Sequence, residues 1–257
     1  NELMGYIKPM ISKNRKCIVL DLDNTLWGGI VGEDGFDGIS LGPTYPGNSF
    51  VEFQRILLSL WKRGIILAIN SRNNPDDALQ VIREHPYMIL KEEHFASTRI
   101  NWNDKATNLK EISKELNIGL SSIVYFDDDP VNRELIRSIM PEVLTVELSN
   151  DPSLYAQSLT ELNDFNILQI TEEDFNRGQM YTQQKSRIEL ENNISNLDDF
   201  LQHLEIKVNI KNASNFTIPR ISQLTLKTNQ FNLTTKRYQE EDIKKFANSS
   251  NKIVGCA

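Results

Sequence analysis

Lys16-Cys17-Ile18-Val19-Leu20-Asp21-Leu22-Asp23-Asn24-Thr25 is the stretch on which the fold turns. Cys17–Leu22 is almost unbroken in its apolar character and shows no alternation. That is the mark of a strand buried on both faces, as in a parallel sheet covered by helices on each side. The run ends in two carboxylates at i and i+2. Such acids at the carboxyl edge of an open α/β sheet lie where these folds place their sites. A lone Asp-x-Asp is common and serves as often to cap a helix, so its meaning depends on what the rest of the chain sets beside it.

The next 130 or so residues alternate short apolar runs with helical periodicity. Asn48–Arg63 reads as a helix with Phe50, Phe53, Leu57, Leu60 and Trp61 on one face and Gly64 as its stop. Ile65–Ile69 is a second strand. Asn74-Pro75-Asp76-Asp77 is a cap, a first-turn proline and two acids at a helix start. Tyr87–Leu90 is expected as a short third strand, and Lys105–Leu116 as a helix. Ile123–Phe126 is the fourth strand, Asp129-Pro130 starts another helix, Val143–Val146 is the fifth strand, and Asp151-Pro152 opens a last helix. The pattern predicts a three-layer, Rossmann-like α/β domain with a parallel sheet. Such a sheet would bring Ser71, Lys105 and the triplet Asp127-Asp128-Asp129 to the same edge as Asp21 and Asp23.

Composition narrows the classes. Hydrophobic residues at 39% and charged residues at 25% suffice for a packed core and exclude a disordered tail. No apolar run approaches the roughly 18 residues that span a bilayer, so no membrane role is expected. Two cysteines, Cys17 and Cys256, make no disulfide framework and suggest a reducing, cytoplasmic setting. With 28 basic against 35 acidic residues, a net charge of −7 argues against nucleic acid as a partner.

Beyond residue 160 the character changes. Thr171–Leu204 is polar with helical spacing, Glu205–Ile210 alternates like a strand, Phe216–Phe231 is helical in pattern, and Lys252–Cys256 begins another strand. The expected organisation is a catalytic domain over 1–160, a helical linker region over 161–204, and an α+β portion over 205–257 that stops inside a domain.

The ordered set Asp-x-Asp-x-Thr, Ser, Lys and an acidic pair resembles the haloacid dehalogenase-like superfamily over roughly residues 16–150. That resemblance implies Mg²⁺-dependent phosphoryl chemistry, and the chemistry explains the residue types. A dianionic phosphoryl group resists attack by a carboxylate until its charge is neutralised. Mg²⁺ takes hard oxygen ligands, here Asp21, the main-chain carbonyl of Asp23, and Asp127 with Asp128 behind it. Asp21 would form an aspartyl-phosphate, and Asp23 would protonate the leaving group and then activate water. Ser71 and Lys105 would hold and neutralise the phosphate, with Asn24, Thr25, Gly28, Gly29 and Arg72 as further phosphate or substrate contacts. Asp129, just before Pro130, reads as a helix cap. The glycines at 28, 29 and 32 would let the chain turn and fold over the edge.

The flanking words are narrower. Lys16–Gly29 with Gly32-Glu33-Asp34-Gly35, then Asp128-Asp129-Pro130-Val131-Asn132-Arg133-Glu134, and far downstream Lys227–Thr235, resemble the FkbH-like branch. This implies a glyceryl transferase/phosphatase of polyketide biosynthesis. Such an enzyme takes a three-carbon unit from 1,3-bisphosphoglycerate, removes phosphate and loads the acyl group on the phosphopantetheine arm of an acyl carrier protein. The later portion would then be the start of a GNAT-like unit. Leu26–Asn70 and Arg72–Asp104 leave no room for a large cap domain, and an open site suits a protein-borne group. Two other readings remain: an uncapped phosphatase needing only the first 150 residues, and a non-catalytic docking module, against which the intact acids, serine and lysine speak. Cys17 lies four residues before Asp21, about 13 Å back along a strand, and is expected in the core rather than as an acyl carrier.

Overall fold

A computed structural model describes residues 15–165, 180, 211–227, 236–249 and 255–256. The chain divides into two compact units, Asn1–Asn192 and Asn193–Ala257. The first carries a five-stranded sheet of β1 (Cys17–Leu20), β2 (Ile66–Ser71), β3 (Phe95–Ile100), β4 (Ile123–Phe126) and β5 (Leu144–Thr145). Every pairing is parallel and the order is β3-β2-β1-β4-β5. Leu20 at the end of β1 sits opposite Ile69 on one side and Phe126 on the other. The chain moves outward from β1 to β3, then crosses back to β4. The reversal between β1 and β4 is the switch point at which open α/β sheets form a crevice.

Helices cover both faces, which completes the three-layer Rossmann-like architecture expected from the sequence. In β1, Ile18 and Leu20 point to one face, while Cys17 and Val19 point to the other. The first face packs on α2 (Gly47–Lys62) through Phe50, Phe53 and Leu57, with α1 (Val31–Asp34), α3 (Pro75–Glu84) and α6 (Tyr155–Thr160) beside it. The second face packs on α4 (Lys105–Glu115) and α5 (Pro130–Ile139) through Leu109, Ile112 and Ile136. Burying each such Leu, Ile or Phe contributes about 1.5–3 kcal/mol. No helix among the described residues is long and apolar enough to cross a membrane.

Local chemistry sets the helix starts. Asp129 caps α5 by accepting from the Val131 amide at 2.8 Å, with Pro130 in the first turn. Asp104 caps α4 through the Thr107 amide at 2.8 Å. A cap of this kind stabilises a helix by about 1 kcal/mol. Asn74 stands at the cap position of α3 but bonds sideways, its Nδ2 donating to Asp77 Oδ2 at 3.0 Å.

The third strand is Phe95–Ile100, which corrects the expectation of a strand at Tyr87–Leu90. Met88 and Leu90 are buried as a strand would bury them, but the amides of Ile89 and Leu90 donate to Gln54 Oε1 at 2.9 and 3.2 Å. That buried glutamine on α2 also donates to the Leu26 carbonyl at 2.8 Å, so it ties this segment to the loop after β1. β3 itself hides its apolar signal behind polar residues on its flank. Ser97 donates to Glu115, and Arg99 pairs with Glu111 and Glu115 of α4.

Nothing larger than α1 and α2 separates β1 from β2, and only α3 and a single 3₁₀ turn (Glu92–His94) separate β2 from β3. The carboxyl edge therefore carries no inserted cap domain. In the second unit, β6 (Lys211–Asn212) pairs antiparallel with β7 (Gly255–Cys256), and α7 (Ile218–Lys227) and α8 (Glu240–Ala247) lie between them in sequence. The helix expected over Phe216–Phe231 is thus described over Ile218–Lys227. The expected helical stretch Thr171–Leu204, the strand Glu205–Ile210 and most of the Lys227–Thr235 motif lie outside the described residues.

Candidate active site

β1, β2 and β4 end side by side, so Asp21, Ser71 and Asp127 leave the sheet together. Lys105, the first residue of α4, reaches in from the β3 side. Its Nζ lies 2.8 Å from Asp21 Oδ1 and 3.1 Å from Asp127 Oδ2, and donates to the Asn70 carbonyl at 2.8 Å. At 1% exposure this ammonium is dry, and all three of its protons have acceptors. Burial pulls its pKa down, but Asp21 and Asp127 more than offset that, and the net shift is upward. Lys105 stays charged.

The four acids have different surroundings. Asp21 Oδ1 takes both Lys105 and the Leu22 amide at 2.8 Å, which fixes the plane of the carboxylate. Burial raises its pKa, and Lys105 and the Ser71 hydroxyl pull it back. Asp23 is held by three donors: Trp27 Nε1 at 2.8 Å and the Val31 amide at 3.1 Å on Oδ1, and Asn73 Nδ2 at 2.8 Å on Oδ2. Burial still lifts its pKa against those bonds. Trp27, fully buried, is both core and the hand that holds Asp23.

Asp127 is saturated. Its Oδ2 accepts from the Tyr125 hydroxyl and pairs with Lys105, while Oδ1 accepts from the Asp129 amide at 2.9 Å and Asn132 Nδ2 at 3.2 Å. Asp128 is half-buried, and its carboxyl is pushed up to about 7 by burial and by the charges of Asp21 and Asp127. Carboxylate oxygens of Asp21, Asp127 and Asp128 lie within 4.8 Å of one another. Oxygen donors this close suit a hard divalent cation such as Mg²⁺, which would relieve the repulsion that raises Asp128. The sequence put Asp127 first as a direct ligand and Asp128 behind it; both stand in the cluster with Asp21, Asp127 buried and engaged by Lys105, Tyr125, Asn132 and the Asp129 amide, and Asp128 more exposed. The carboxylate of Asp23 lies outside this cluster, which leaves only its main-chain carbonyl for the role expected of it.

The remaining expected residues divide. Asn24 adopts a left-handed conformation at φ 54°, and its Oδ1 accepts from the Gly29 amide at 2.8 Å. Gly28 pairs with Ser40 in an antiparallel bridge, so the segment folds back as a small flap beside the edge. Gly29 sits at φ 94°, where a Cβ would also meet Asp34 Oδ2 at 2.5 Å, so glycine is required there. Asn24, Gly28 and Gly29 line a cleft of about 410 Å³ that opens beside Asp128. Thr25 does not face substrate: it is fully buried, and its Oγ1 accepts from the Asp128 amide at 3.2 Å. Arg72 is exposed past the end of β2, with Nε donating to the Asn103 carbonyl at 3.4 Å.

Several working residues escaped the sequence reading. Asn70 exchanges bonds with Lys105 and Asn108, the latter at 3.1 Å, and locks the lysine's backbone at 2.9 Å. Arg133 donates to the carbonyls of Asp127 and Asp128 at 2.8 and 2.6 Å, which shapes the turn bearing both acids. Tyr155 on α6 donates to the Asn24 carbonyl at 3.1 Å. Asparagine and arginine inside a helix carry no periodic signal, so only Asn132 and Arg133, within the quoted Asp128–Glu134 word, stood near a recognisable motif.

These features define a three-layer, Rossmann-like α/β domain whose carboxyl edge gathers acids, a serine and a lysine and carries no large inserted cap. No protein-family model matches the chain, and no curated protein matches it. Among solved structures, the N-terminal part of the Bacteroides fragilis protein BF1531, containing a phosphatase domain and complexed with Mg, is similar to it. The two share 39% identity at a TM-score of 0.60, over 65% of this chain and 44% of that one. The match thus spans less than half the length of that chain.

Proposed function

We propose that this chain is a Mg²⁺-dependent phosphohydrolase that works through an aspartyl-phosphate on Asp21. The observation that carries this is the buried Lys105 ammonium bridging Asp21 and Asp127, with three carboxylates converging beside it. The Mg-bound phosphatase domain of BF1531 supports the same reading. Asp21 and Asp128, with Asp127 adjoining, would hold the cation, which when bound supplies charge neutralisation for the phosphoryl oxygens. Asp21, oriented by Lys105 and the Leu22 amide, attacks phosphorus as the bond to the leaving oxygen breaks. Asp23, whose raised pKa favours the protonated form, delivers a proton to that oxygen. The same carboxylate then takes a proton from water, which attacks phosphorus and returns Asp21 with inorganic phosphate. Ser71 and Lys105 steady the charge that shifts onto the phosphoryl oxygens.

The finer reading follows the FkbH-like resemblance. The phosphoryl group would be borne by a three-carbon unit drawn from 1,3-bisphosphoglycerate and loaded as an acyl group on an acyl carrier protein in polyketide biosynthesis, in the cytoplasm. The uncapped edge supports it, because a phosphopantetheine arm needs an open approach. Two measurements separate the levels. Asp21→Asn is expected to lose phosphate release by at least about four orders of magnitude; wild-type release from that variant would overturn the hydrolase reading. Intact mass of a carrier protein incubated with enzyme, Mg²⁺ and 1,3-bisphosphoglycerate should show a glyceryl increment, and its absence would overturn the finer reading alone.

A further inference from the structure

We propose that the cleft beside Asp128 takes an uncharged leaving group, so that the substrate is a phosphate monoester with no second anionic group close to the ester; this rests on the hydrolase reading above.

The charge-bearing groups are distributed unevenly about the edge. Ser71, Arg72 and Lys105 come from β2 and from the helix after β3, on one side of Asp21. The cleft lies on the other side, between the flap after β1 and the loops after β4 and β5. Its walls are Phe50 and Tyr155, with Asn24, Ser40, Ser149 and Asn150 supplying neutral polar groups. Among the described residues neither lysine nor arginine lines it, and Asp128 is the one charged lining residue. Two further acids stand close by: Asp151 accepts from the hydroxyl of the lining residue Tyr45 at 3.4 Å, and Asp34 accepts from the Ile30 amide at 2.8 Å, beside Gly29. Arg133, buried behind this turn, is spent on the Asp127 and Asp128 carbonyls and on Glu147.

Neutralisation by metal does not change this. Asp21, Asp127 and Asp128 gather around one ammonium, so a bound divalent cation brings that set to neutrality and leaves no positive surplus before substrate arrives. The phosphoryl group being transferred already brings excess negative charge. A second phosphate or a carboxylate in the cleft would find no lysine or arginine among the described lining residues to answer it, and unpaired like charges in a partly desolvated site are rejected strongly. Hydroxyl, ester or amide groups find donors and acceptors in the serines and asparagines and an apolar floor on Phe50. If the phosphate sits on a three-carbon acyl unit, the acyl phosphate must be spent by an acyl-transfer reaction before this site is reached.

The test compares 3-phosphoglycerate with its methyl ester, a pair that differs by one negative charge. With Mg²⁺ at neutral pH, the ester is expected to have the higher kcat/KM by about tenfold or more, equivalent to about 1.4 kcal/mol. Asn150→Lys, an exposed change on the cleft wall, should raise kcat/KM for the free acid and narrow the gap. Equal or better turnover of the free acid by the wild-type protein would overturn the proposal and leave the hydrolase reading intact, as would a gap unchanged in Asn150→Lys. Release from neither compound, nor from 4-nitrophenyl phosphate, would overturn both.

Discussion

Asp127 and Asp128 are neighbours in sequence and opposites in circumstance. Asp127 is completely buried, takes four donors and belongs to the dry flank of the edge built by β2, Lys105 and Asn70. Asp128 faces the cleft on the β4–β5 flank, with its backbone held by Thr25 and Arg133 and its carboxyl pushed up to about 7. One flank is a preorganised charge lattice in which the Lys105 ammonium and the Asp127 carboxylate are fully paired. The other holds its backbone rigid and leaves the carboxylate free for whatever arrives. The proposed phosphohydrolase reaction needs both: a fixed counter-charge that does not move during the reaction, and an open ligand that can exchange solvent for cation.

The sharpest way to break the lattice is Lys105→Met. It leaves the buried Asp21 and Asp127 without a counter-charge, and stripping one partner from a buried ion pair costs about 3–5 kcal/mol. The unfolding free energy from urea titration should fall by that amount and phosphate release should be lost. Near-native stability would mean that the two acids do not depend on the lysine.

A second pair of variants separates the flanks. Addition of Mg²⁺ should raise Tm in the wild type by mass action on the folded state. Asp128→Ala should remove most of that rise while leaving the metal-free protein folded. Asp127→Ala should instead lower the metal-free Tm, since Tyr125, Asn132 and Lys105 all lose an acceptor. The reverse pattern would restore Asp127 as the open ligand.

The mildest effect is in pH. The Asp128 carboxyl titrates near 7 in the folded protein against about 3.9 unfolded, so the folded state binds the extra proton between those values. Its contribution to metal-free stability is present below pH 4 and is lost as pH rises through 7. A cation needs the ionised form, so Mg²⁺ affinity should rise up to about tenfold per pH unit below 7 and level off above it. Titrating Tm against pH with and without Mg²⁺ should give curves that diverge upward from about pH 6. Parallel curves would remove Asp128 from the cation site.

How far the sequence carried the fold depended on where each side chain's partners lay. β1, β2 and β4 are buried on both faces, and their continuous apolar runs were plain in the text. β3 was misplaced because its flank polar residues are satisfied by α4, twelve and more residues away, while Tyr87–Leu90 is held by Gln54. At the edge, Asp21, Asp23, Ser71 and Lys105 stood out by order and residue type. The roles of Asp127 and Asp128 did not, because which acid is free depends on Tyr125, Asn132 and Lys105 meeting in space. Asn70, Arg133 and Tyr155 act through backbone carbonyls, and an interaction with a carbonyl leaves no mark on the sequence of its acceptor.

Tyr155 also bears on the order in which the chain is made. Its hydroxyl meets the Asn24 carbonyl across 131 positions, its ring packs edge-on against Phe50 and Phe53, and the Arg15 amide bonds the Asp164 carbonyl. The loop that bears the nucleophile is therefore synthesised first and propped last. Cut at residue 150, the chain would keep Asp21, Asp23, Asp127 and Asp128 and lack the strut behind them, so a working piece is expected to run through Phe165. During translation, the ribosome has to release some 150 residues beyond the first motif's strand before its terminal loop can set, and chaperone protection or premature aggregation would be decided in that interval.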